Sequence, residues 1–181
     1  QDLAQVRQFL TGNGLFAYGE LRTLPVVRLD HSMGGRVAAS FVARGVRPVD
    51  ALVLSSPALS PTLSAGQKRL IAVLSRLAPN LRVGNGLNAK DLSHDSAVGS
   101  AYLSDPLNHE RIAARLARFL ADEGARVMAV APQWPVPTLL LYAGADRLVR
   151  PEGSRPFAAA AAPSGQVQDL GFEQHFHERF N

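Results

Sequence analysis

The chain has 181 residues, enough for one domain with a sizeable core, and its balance of 46% hydrophobic to 19% charged residues is that of an ordinary globular protein. It contains no cysteine, which excludes a disulfide framework and thiol chemistry. No apolar run approaches the roughly 20 residues that span a bilayer. The formal charge of +4 comes mainly from scattered arginines, so nucleic-acid binding is not expected.

The first part of the chain predicts a strand–helix–strand unit. Residues 2–10 carry an apolar helical face, and residues 25–29 form a short buried strand. A helix follows at residues 33–44, with Gly45 as its C-cap, and residues 51–54 form the next strand. A strand, a helix and a second strand in such a short stretch indicate a parallel crossover.

A helical block, residues 58–130, interrupts the series of strands. Leu70, Ile71 and Leu74 lie on the apolar face of one amphipathic helix, and residues 110–123 form another. The position of this block between two predicted strands indicates a cap inserted into the sheet framework.

The chain then returns to the sheet. Residues 138–142 form a fully apolar strand, residues 157–162 a helix and residues 167–170 a last short strand. Right-handed crossovers stack successive strands outward, so we expect the four strands side by side in chain order. The predicted fold class is α/β, with a mostly parallel sheet, helices on both faces, a core of residues 1–57 and 131–181, and the cap between them.

Ser32 stands where the first strand meets its helix, in the stretch Val-Val-Arg-Leu-Asp-His-Ser-Met-Gly-Gly. A sharp turn there would expose the hydroxyl at the end of the strand. It would also point the following backbone N–H groups toward a substrate group bound next to that hydroxyl. The stretch closely resembles the G-H-S-M-G-G nucleophile elbow of α/β-hydrolases, in the branch of monoacylglycerol lipases and lysophospholipases. Taken alone, Ser32 would serve equally well as a helix N-cap.

Two later segments strengthen the resemblance. Asp146 lies after a predicted strand in the stretch Gly-Ala-Asp-Arg-Leu-Val, which resembles the family pattern G-x-x-D-x-[LIV]-V with one residue fewer after the glycine. His177 begins an H-E-x-x-N pattern after the last strand. A serine hydroxyl needs a base and an orienting acid, and the order Ser32, Asp146, His177 is that of α/β-hydrolases. His175 competes with His177, Asp146 alone would suit a turn, and strand alternation predicts that His31 points away as a packing residue.

The cap carries a further resemblance. Residues 90–95 and 101–107 are similar to the L-S-x-D and Y-x-x-D-P-L patterns of the same branch, although helix caps and turns would also explain them. The resemblance as a whole extends from about residue 5 to the end of the chain.

The resemblance implies a serine hydrolase of carboxylic esters such as monoacylglycerols or lysophospholipids. Ser32 would attack the acyl carbonyl, His177 would take its proton, Asp146 would hold the imidazolium, and the Met33 N–H would bind the oxyanion. Two alternatives stay open: a binding module that keeps the fold without the activity, and a hydrolase of amides or thioesters.

The expected partners follow from the same resemblance. The partner is a small acyl ester, the cap contacts a lipid interface transiently, and no cofactor, metal or nucleic acid is expected. Leu70, Ile71 and Leu74 would shelter the acyl chain, or would only pack the cap. The expected location is cytoplasmic, with a preceding leader left open because the sequence begins at Gln1 rather than at a methionine.

Two departures from the family pattern stand out. Asp30 replaces the first glycine of the elbow, where strand and helix backbones approach closely. Its side chain is expected either to displace the helix or to remain as a poorly solvated charge unless it is paired, and glycine should restore stability and activity. The first strands and the His-Gly oxyanion loop of the family have no counterpart in the sequence. We therefore expect an incomplete domain with an apolar edge beside the first strand.

Overall fold

The structure, a computed structural model, describes residues 25–59 and 63–178. The predicted helix at residues 2–10 lies outside these ranges. The helices and strands follow in chain order: β1 (Val27–His31), α1 (Ser32–Ala43), β2 (Ala51–Ser55), α2 (Ala65–Leu77), β3 (Arg82–Gly84), α3 (Ser96–Ser104), β4 (Arg111–Ala113), α4 (Ala114–Val130), β5 (Thr138–Ala143), α5 (Ser154–Ala161) and β6 (Val167–Phe172).

The central sheet confirms the predicted α/β fold and strand order. Its strands lie in the order β1, β2, β5, β6, and each neighbouring pair is parallel. The carboxyl ends of all four strands therefore meet at one edge, which is where parallel α/β sheets bind their ligands. Among the described strands, β1 lies at one end of the sheet, and its Val27 and Leu29 are 58% and 62% exposed.

The core lies between the sheet and α1, α4 and α5. One cluster joins Leu52, Leu54 and Leu140 of the strands to Val127 of α4 and Phe157 of α5. Burial of such side chains is the main favourable term in folding, at about 25 cal/mol per Å² of apolar surface. Because α4 contributes to this cluster, it is part of the helical layer that packs on the sheet, although its sequence lies in the predicted cap. The boundaries of that cap stay a prediction.

The region predicted as a cap, residues 58–130, differs in two places from its sequence prediction. Residues Arg111–Ala113 pair antiparallel with Arg82–Gly84 rather than beginning a helix, and α4 continues to Val130 instead of ending at Glu123. Strands of three residues are too short to show an alternating pattern, while α4 meets no proline before Pro132. Within the described ranges, no helix combines the length and the apolar character needed to cross a membrane.

A buried polar cluster fastens α1 to α4. Glu123, only 4% exposed, accepts hydrogen bonds from the Arg44 guanidinium and from the Ser40 hydroxyl. Arg36 donates to the carbonyl of Leu120 in the same interface. The hydrogen bonds from Arg44 chiefly hold the pKa of the Glu123 carboxyl at about 2, well below its ordinary 4.5. The helix that carries Ser32 is thereby fixed to α4.

Replacement of Glu123 by glutamine is expected to lower the free energy of unfolding at pH 7 by up to about 3 kcal/mol, since each pKa unit corresponds to about 1.4 kcal/mol. Because folding lowers this pKa, the contribution is complete above the unfolded value of 4.5 and is lost as the pH falls toward 2. Urea unfolding of both proteins from neutral to acid pH measures the difference. Asp122→Asn, at an exposed position, is the matched control. If the difference in unfolding free energy between the parent and Glu123→Gln did not narrow in acid, the stabilising role given to the Glu123 carboxylate would be wrong.

Candidate active site

The turn that presents Ser32 contains no loop residue. β1 ends at His31 and α1 begins at Ser32, whose φ of 53° lies in the left-handed region. That conformation is costly for a residue with a side chain and persists only where the surroundings impose it. Here the Ser32 carbonyl accepts a hydrogen bond from the Ala58 N–H at 3.0 Å. The hydroxyl is thus held out from the carboxyl end of the sheet.

Gly35 lets α1 lie close to the end of β2. A Cβ atom at this position would come within 2.8 Å of the Pro57 Cβ and 3.4 Å of the Asp30 carbonyl oxygen. Real side chains do not make the first contact, so the close approach needs glycine. The glycine three residues after Ser32 is therefore required by the close packing of α1 at this turn.

Ser32, His177 and Asp146 form one hydrogen-bonded chain. The Ser32 Oγ lies 2.9 Å from His177 Nε2, and His177 Nδ1 lies 2.7 Å from Asp146 Oδ2. The other carboxylate oxygen accepts from the N–H groups of Leu148 and Val149 at 2.9 and 2.8 Å. Because both oxygens of this buried carboxylate are occupied, it holds the imidazole in one orientation.

His175, the competing histidine, lies elsewhere. Its exposed ring contacts the Phe172 ring, with 5.6 Å between the centroids. Its carbonyl accepts a hydrogen bond from the Ala145 N–H at 3.2 Å. His175 therefore shapes the loop that carries Asp146, while His177 reaches Ser32.

His31 differs from its sequence prediction, because it lies beside the site rather than pointing away from it. Its ring centroid is 4.6 Å from that of His177. Its Nδ1 is 3.0 Å from the Ser55 hydroxyl and its Nε2 is 3.5 Å from a carboxylate oxygen of Glu178. The backbone is still extended at His31, with φ −113° and ψ 147°, and it turns only at Ser32, where φ is 53°. Strand alternation therefore does not relate the directions of these two side chains.

Asp30 is paired rather than isolated. Its carboxylate lies 3.5 Å from Arg28 Nε, and a Cβ at Gly34 would make only an ordinary 3.7 Å contact with it. The side chain thus lies along α1 without displacing the helix. Burial raises the pKa of the Asp30 carboxyl, and the nearby positive charge of Arg28 offsets part of that increase.

The isosteric change Asp30→Asn is expected to stabilise the protein at neutral pH. Since folding raises the pKa of this carboxyl, its ionised form costs stability above that pKa, and the cost disappears once it is protonated in both states, below 3.8. The gain should therefore shrink as the solution is acidified. Thermal unfolding at neutral and acid pH measures it. A variant less stable at pH 7 would show instead that the ion pair with Arg28 outweighs the cost of burial.

A cavity of about 440 Å³ opens beside Ser32 and His177. Its apolar lining comes from α1, α4, the loop after β2, the cap and the loop that follows Asp146: Met33, Ala58, Leu87, Leu107, Ile112, Leu120, Leu148 and Val149. Leu70, Ile71 and Leu74 are not among its lining residues. They lie on α2, which packs against α4.

The polar part of the lining was not found by sequence reasoning. Asn85, Asn108 and His109 border the cavity near the β3–β4 ribbon, and Tyr102 reaches it from α3. The spacing of Asn85, Asn108 and His109 in the sequence did not indicate a shared site, because only the folding of the ribbon brings them together. Among the described residues that line the cavity, none is an aspartate or a glutamate.

Arg36 contributes a positive charge to the lining of the cavity. Its side chain is buried, and that burial lowers its pKa to about 10, with Glu123 offsetting part of the decrease. A guanidinium with this pKa stays charged at neutral pH. The cavity therefore combines an apolar wall, a few neutral polar groups and one buried cation beside the Ser32 hydroxyl.

A parallel sheet with a serine at a strained strand-to-helix turn, followed in the chain by an acid and a histidine, is the arrangement of the α/β-hydrolase fold. The family described as "Serine aminopeptidase, S33" matches residues 13–181. The chain belongs to this family.

Its relatives include named lipases. The chain is 35% identical to "Monoacylglycerol lipase" of Mycolicibacterium smegmatis over 189 residues, which cover 100% of this chain and 65% of that protein. It is 32% identical to "Phospholipase YtpA" of Bacillus subtilis over 130 residues, 70% of this chain and 50% of that one. The crystal structure of Paleococcus ferrophilus monoacylglycerol lipase matches with a TM-score of 0.81 at 30% identity, over 90% of this chain and 63% of the other. The chain thus spans less than two thirds of the length of each.

Proposed function

We propose that this protein hydrolyses carboxylic esters of single acyl chains, such as monoacylglycerols or lysophospholipids, with Ser32 as the nucleophile. The observation that carries the proposal is the hydrogen-bonded chain from Asp146 through His177 to Ser32, with links of 2.7 and 2.9 Å, at the mouth of a mostly apolar cavity. The lipase and phospholipase names of the relatives support the same substrate class.

The steps follow from the positions of these groups. Ser32 Oγ attacks the acyl carbonyl while His177 Nε2 takes its proton, and Asp146 stabilises the imidazolium that forms. The N–H of Met33, at the start of α1, donates to the oxyanion. His177 then protonates the departing alcohol. Water attacks the carbonyl of the acyl-enzyme while His177 takes its proton, and His177 returns this proton to Ser32 Oγ as the carboxylic acid leaves.

The cavity suits an acyl chain with a polar head. Its volume lies in the usual range for small-ligand sites. Leu87, Leu107 and Ile112 offer apolar surface to a hydrocarbon chain, while Asn85 and Asn108 offer hydrogen-bonding groups to the hydroxyls of a glycerol. This arrangement replaces α2 as the proposed acyl-chain site.

Amide cleavage is the second candidate, because the family is described by an aminopeptidase. An aminopeptidase holds the charged α-amino group of its substrate, which calls for a carboxylate near the nucleophile. The described cavity lining has no carboxylate and includes the buried cation Arg36. That electrostatic balance favours an ester with a neutral or anionic head over a substrate with a free amine.

A substrate panel on the intact protein tests the proposal. We expect turnover of a monoacylglycerol and a lysophospholipid, and little of an amino-acid anilide. Ile112→Trp should fill part of the cavity and reduce turnover of long-chain esters more than of butyrate esters, whereas Leu103→Trp, at an exposed position outside the cavity, should change neither. Preferred turnover of the anilide would favour the aminopeptidase, and no turnover of any substrate would favour a binding module.

A lipid surface is the proposed partner of the cap. Leu70 and Leu77 of α2 are 58% and 80% exposed, so part of the apolar face of this helix is uncovered. Residues 63–90 carry five basic side chains and no acidic one. Exposed apolar groups among basic residues favour contact with anionic lipid.

Vesicle sedimentation checks this contact. The protein is expected to bind phosphatidylglycerol vesicles more strongly than phosphatidylcholine vesicles, and Leu77→Ser is expected to weaken binding because it removes exposed apolar surface. Val46→Ser, an exposed apolar position after α1, is the matched control. Equal binding of both vesicle types, or equal binding of both variants, would rule out α2 as the contact.

A further inference from the structure

A second histidine–carboxylate pair lies beside His177. His31 precedes Ser32 in the chain and Glu178 follows His177, and the fold brings them together with 3.5 Å between His31 Nε2 and Glu178 Oε1. The His31 ring lies 4.6 Å from the His177 ring, centroid to centroid. The proposed mechanism uses neither His31 nor Glu178.

Both imidazoles have the arrangement of metal-binding histidines. His31 Nδ1 is tied to the Ser55 hydroxyl at 3.0 Å, and His177 Nδ1 to Asp146 at 2.7 Å. When Nδ1–H donates to an acceptor, Nε2 presents a lone pair, and metal-binding histidines are oriented in this way by a partner behind the ring. In the tautomer with the proton on Nδ1, Nε2 is the nitrogen with which each ring binds an ion.

The spacing of the donor atoms fits a small divalent ion. Zinc binds nitrogen and carboxylate oxygen at about 2.0–2.2 Å, which places tetrahedral ligands about 3.3–3.5 Å apart. The distance between His31 and Glu178 already has this value, and the ligand atoms of His31, His177 and Glu178 all lie within 4.8 Å of one another. The side chains of His31 and Glu178 are each 26% exposed, so an ion can reach them from solvent.

We infer that His31, His177 and Glu178 form a binding site for a divalent transition-metal ion of the zinc class, and that an ion bound there switches the hydrolase off. Two histidines and one carboxylate are a recognised zinc ligand set, with water completing the fourth position. The ion occupies the Nε2 lone pair of His177, so this nitrogen can no longer take the proton of Ser32. Inhibition depends on the proposed function, whereas binding of the ion does not.

Sequence spacing gave no sign of this site, and we expected no metal. The ligands stand at positions 31, 177 and 178, so no short motif contains them. They become neighbours only because β1 ends beside the loop that carries His177. Among the described residues, this is the one group of three or more potential ligands close enough to share an ion.

Calorimetric titration of the metal-free protein with zinc chloride tests the site directly, and the absorption bands of bound Co²⁺ give an independent signature of its ligands. We expect one ion per chain. His31→Gln and Glu178→Gln should each weaken binding at least about 10-fold, and Ser55→Ala, which removes the partner behind His31, about 10- to 100-fold. His175→Gln, a nearby exposed histidine outside the site, should bind zinc as the parent does. Circular dichroism confirms that each variant is folded.

An activity measurement separates the site from the function. Zinc should inhibit ester hydrolysis reversibly, with activity restored by EDTA. His31→Gln, compared with its own zinc-free rate, should need at least about 10-fold more zinc for the same inhibition. Zinc binding in a protein that hydrolyses no ester would support the site while the proposed function fails. Absent binding, binding that His31→Gln leaves unchanged, or bound zinc that does not inhibit an active enzyme would each overturn the inference.

Discussion

Ser32→Ala is expected to lower kcat for ester hydrolysis by about 10⁶-fold, the loss typical of removing the nucleophile from such a triad. Without the hydroxyl, no acyl-enzyme can form, and the His177 base has no proton to take. The remaining rate would come only from binding and from the oxyanion donor at Met33. Steady-state hydrolysis of p-nitrophenyl butyrate measures the effect across this range.

Ser100→Ala is the matched control for this experiment. Ser100 lies on α3, is exposed, and donates only a local hydrogen bond to the Ser96 carbonyl. We expect its kcat to equal that of the parent, and both variants should unfold at nearly the parent temperature. A loss of only a few-fold in Ser32→Ala would show that another residue is the nucleophile.

Asp146→Asn is expected to lower kcat by about 10⁴-fold with little change in the fold. The amide keeps the shape of the carboxylate but no longer stabilises a positive imidazolium, and its NH₂ group favours the wrong tautomer of His177. The hydrogen bonds from Leu148 and Val149 to Oδ1 can still form, so the loop should keep its position. Rates are compared on the same ester.

Three further variants define the acid and the base. Asp122→Asn removes an exposed carboxylate of α4 and should leave kcat unchanged. His175→Gln should also keep parent activity, whereas His177→Gln should lose about as much as Ser32→Ala. Full activity in His177→Gln, with loss in His175→Gln, would reverse the assignment of the base.

The sheet and the meeting of Ser32, Asp146 and His177 could be predicted because their signals are local. Each strand is a short apolar run bounded by turn residues, and right-handed crossovers leave a single order for successive parallel strands. Ser32, Asp146 and His177 each follow a strand at the edge of the sheet where the strands end. Their approach to one another therefore followed from the order of the segments.

The rest depends on contacts between distant parts of the chain. The β3–β4 ribbon pairs three-residue strands about 30 positions apart, and no periodicity can show in so few residues. Ile112 enters the cavity only through that ribbon, while α2 packs against α4 and leaves part of its apolar face exposed. An apolar helical face predicts burial against something, but not which surface covers it.

His31 shows the same limit at a single residue. Alternation along a strand predicts side-chain direction only while the strand continues, and β1 ends at this residue. Asp30, one residue earlier, was expected to displace the helix or to be a poorly solvated charge, and burial does raise the pKa of its carboxyl. The ion pair with Arg28 that accommodates it became visible only in the structure.

Labelling with a fluorophosphonate tests most directly whether Ser32 is a nucleophile activated by His177 and Asp146. The probe reacts with activated serines, and intact-mass and peptide mass spectrometry locate the adduct. One adduct on Ser32 is expected in the parent, none in Ser32→Ala, and a rate of labelling reduced by several orders of magnitude in His177→Gln. An adduct on another serine, or none on folded parent protein, would contradict the proposed hydrolase.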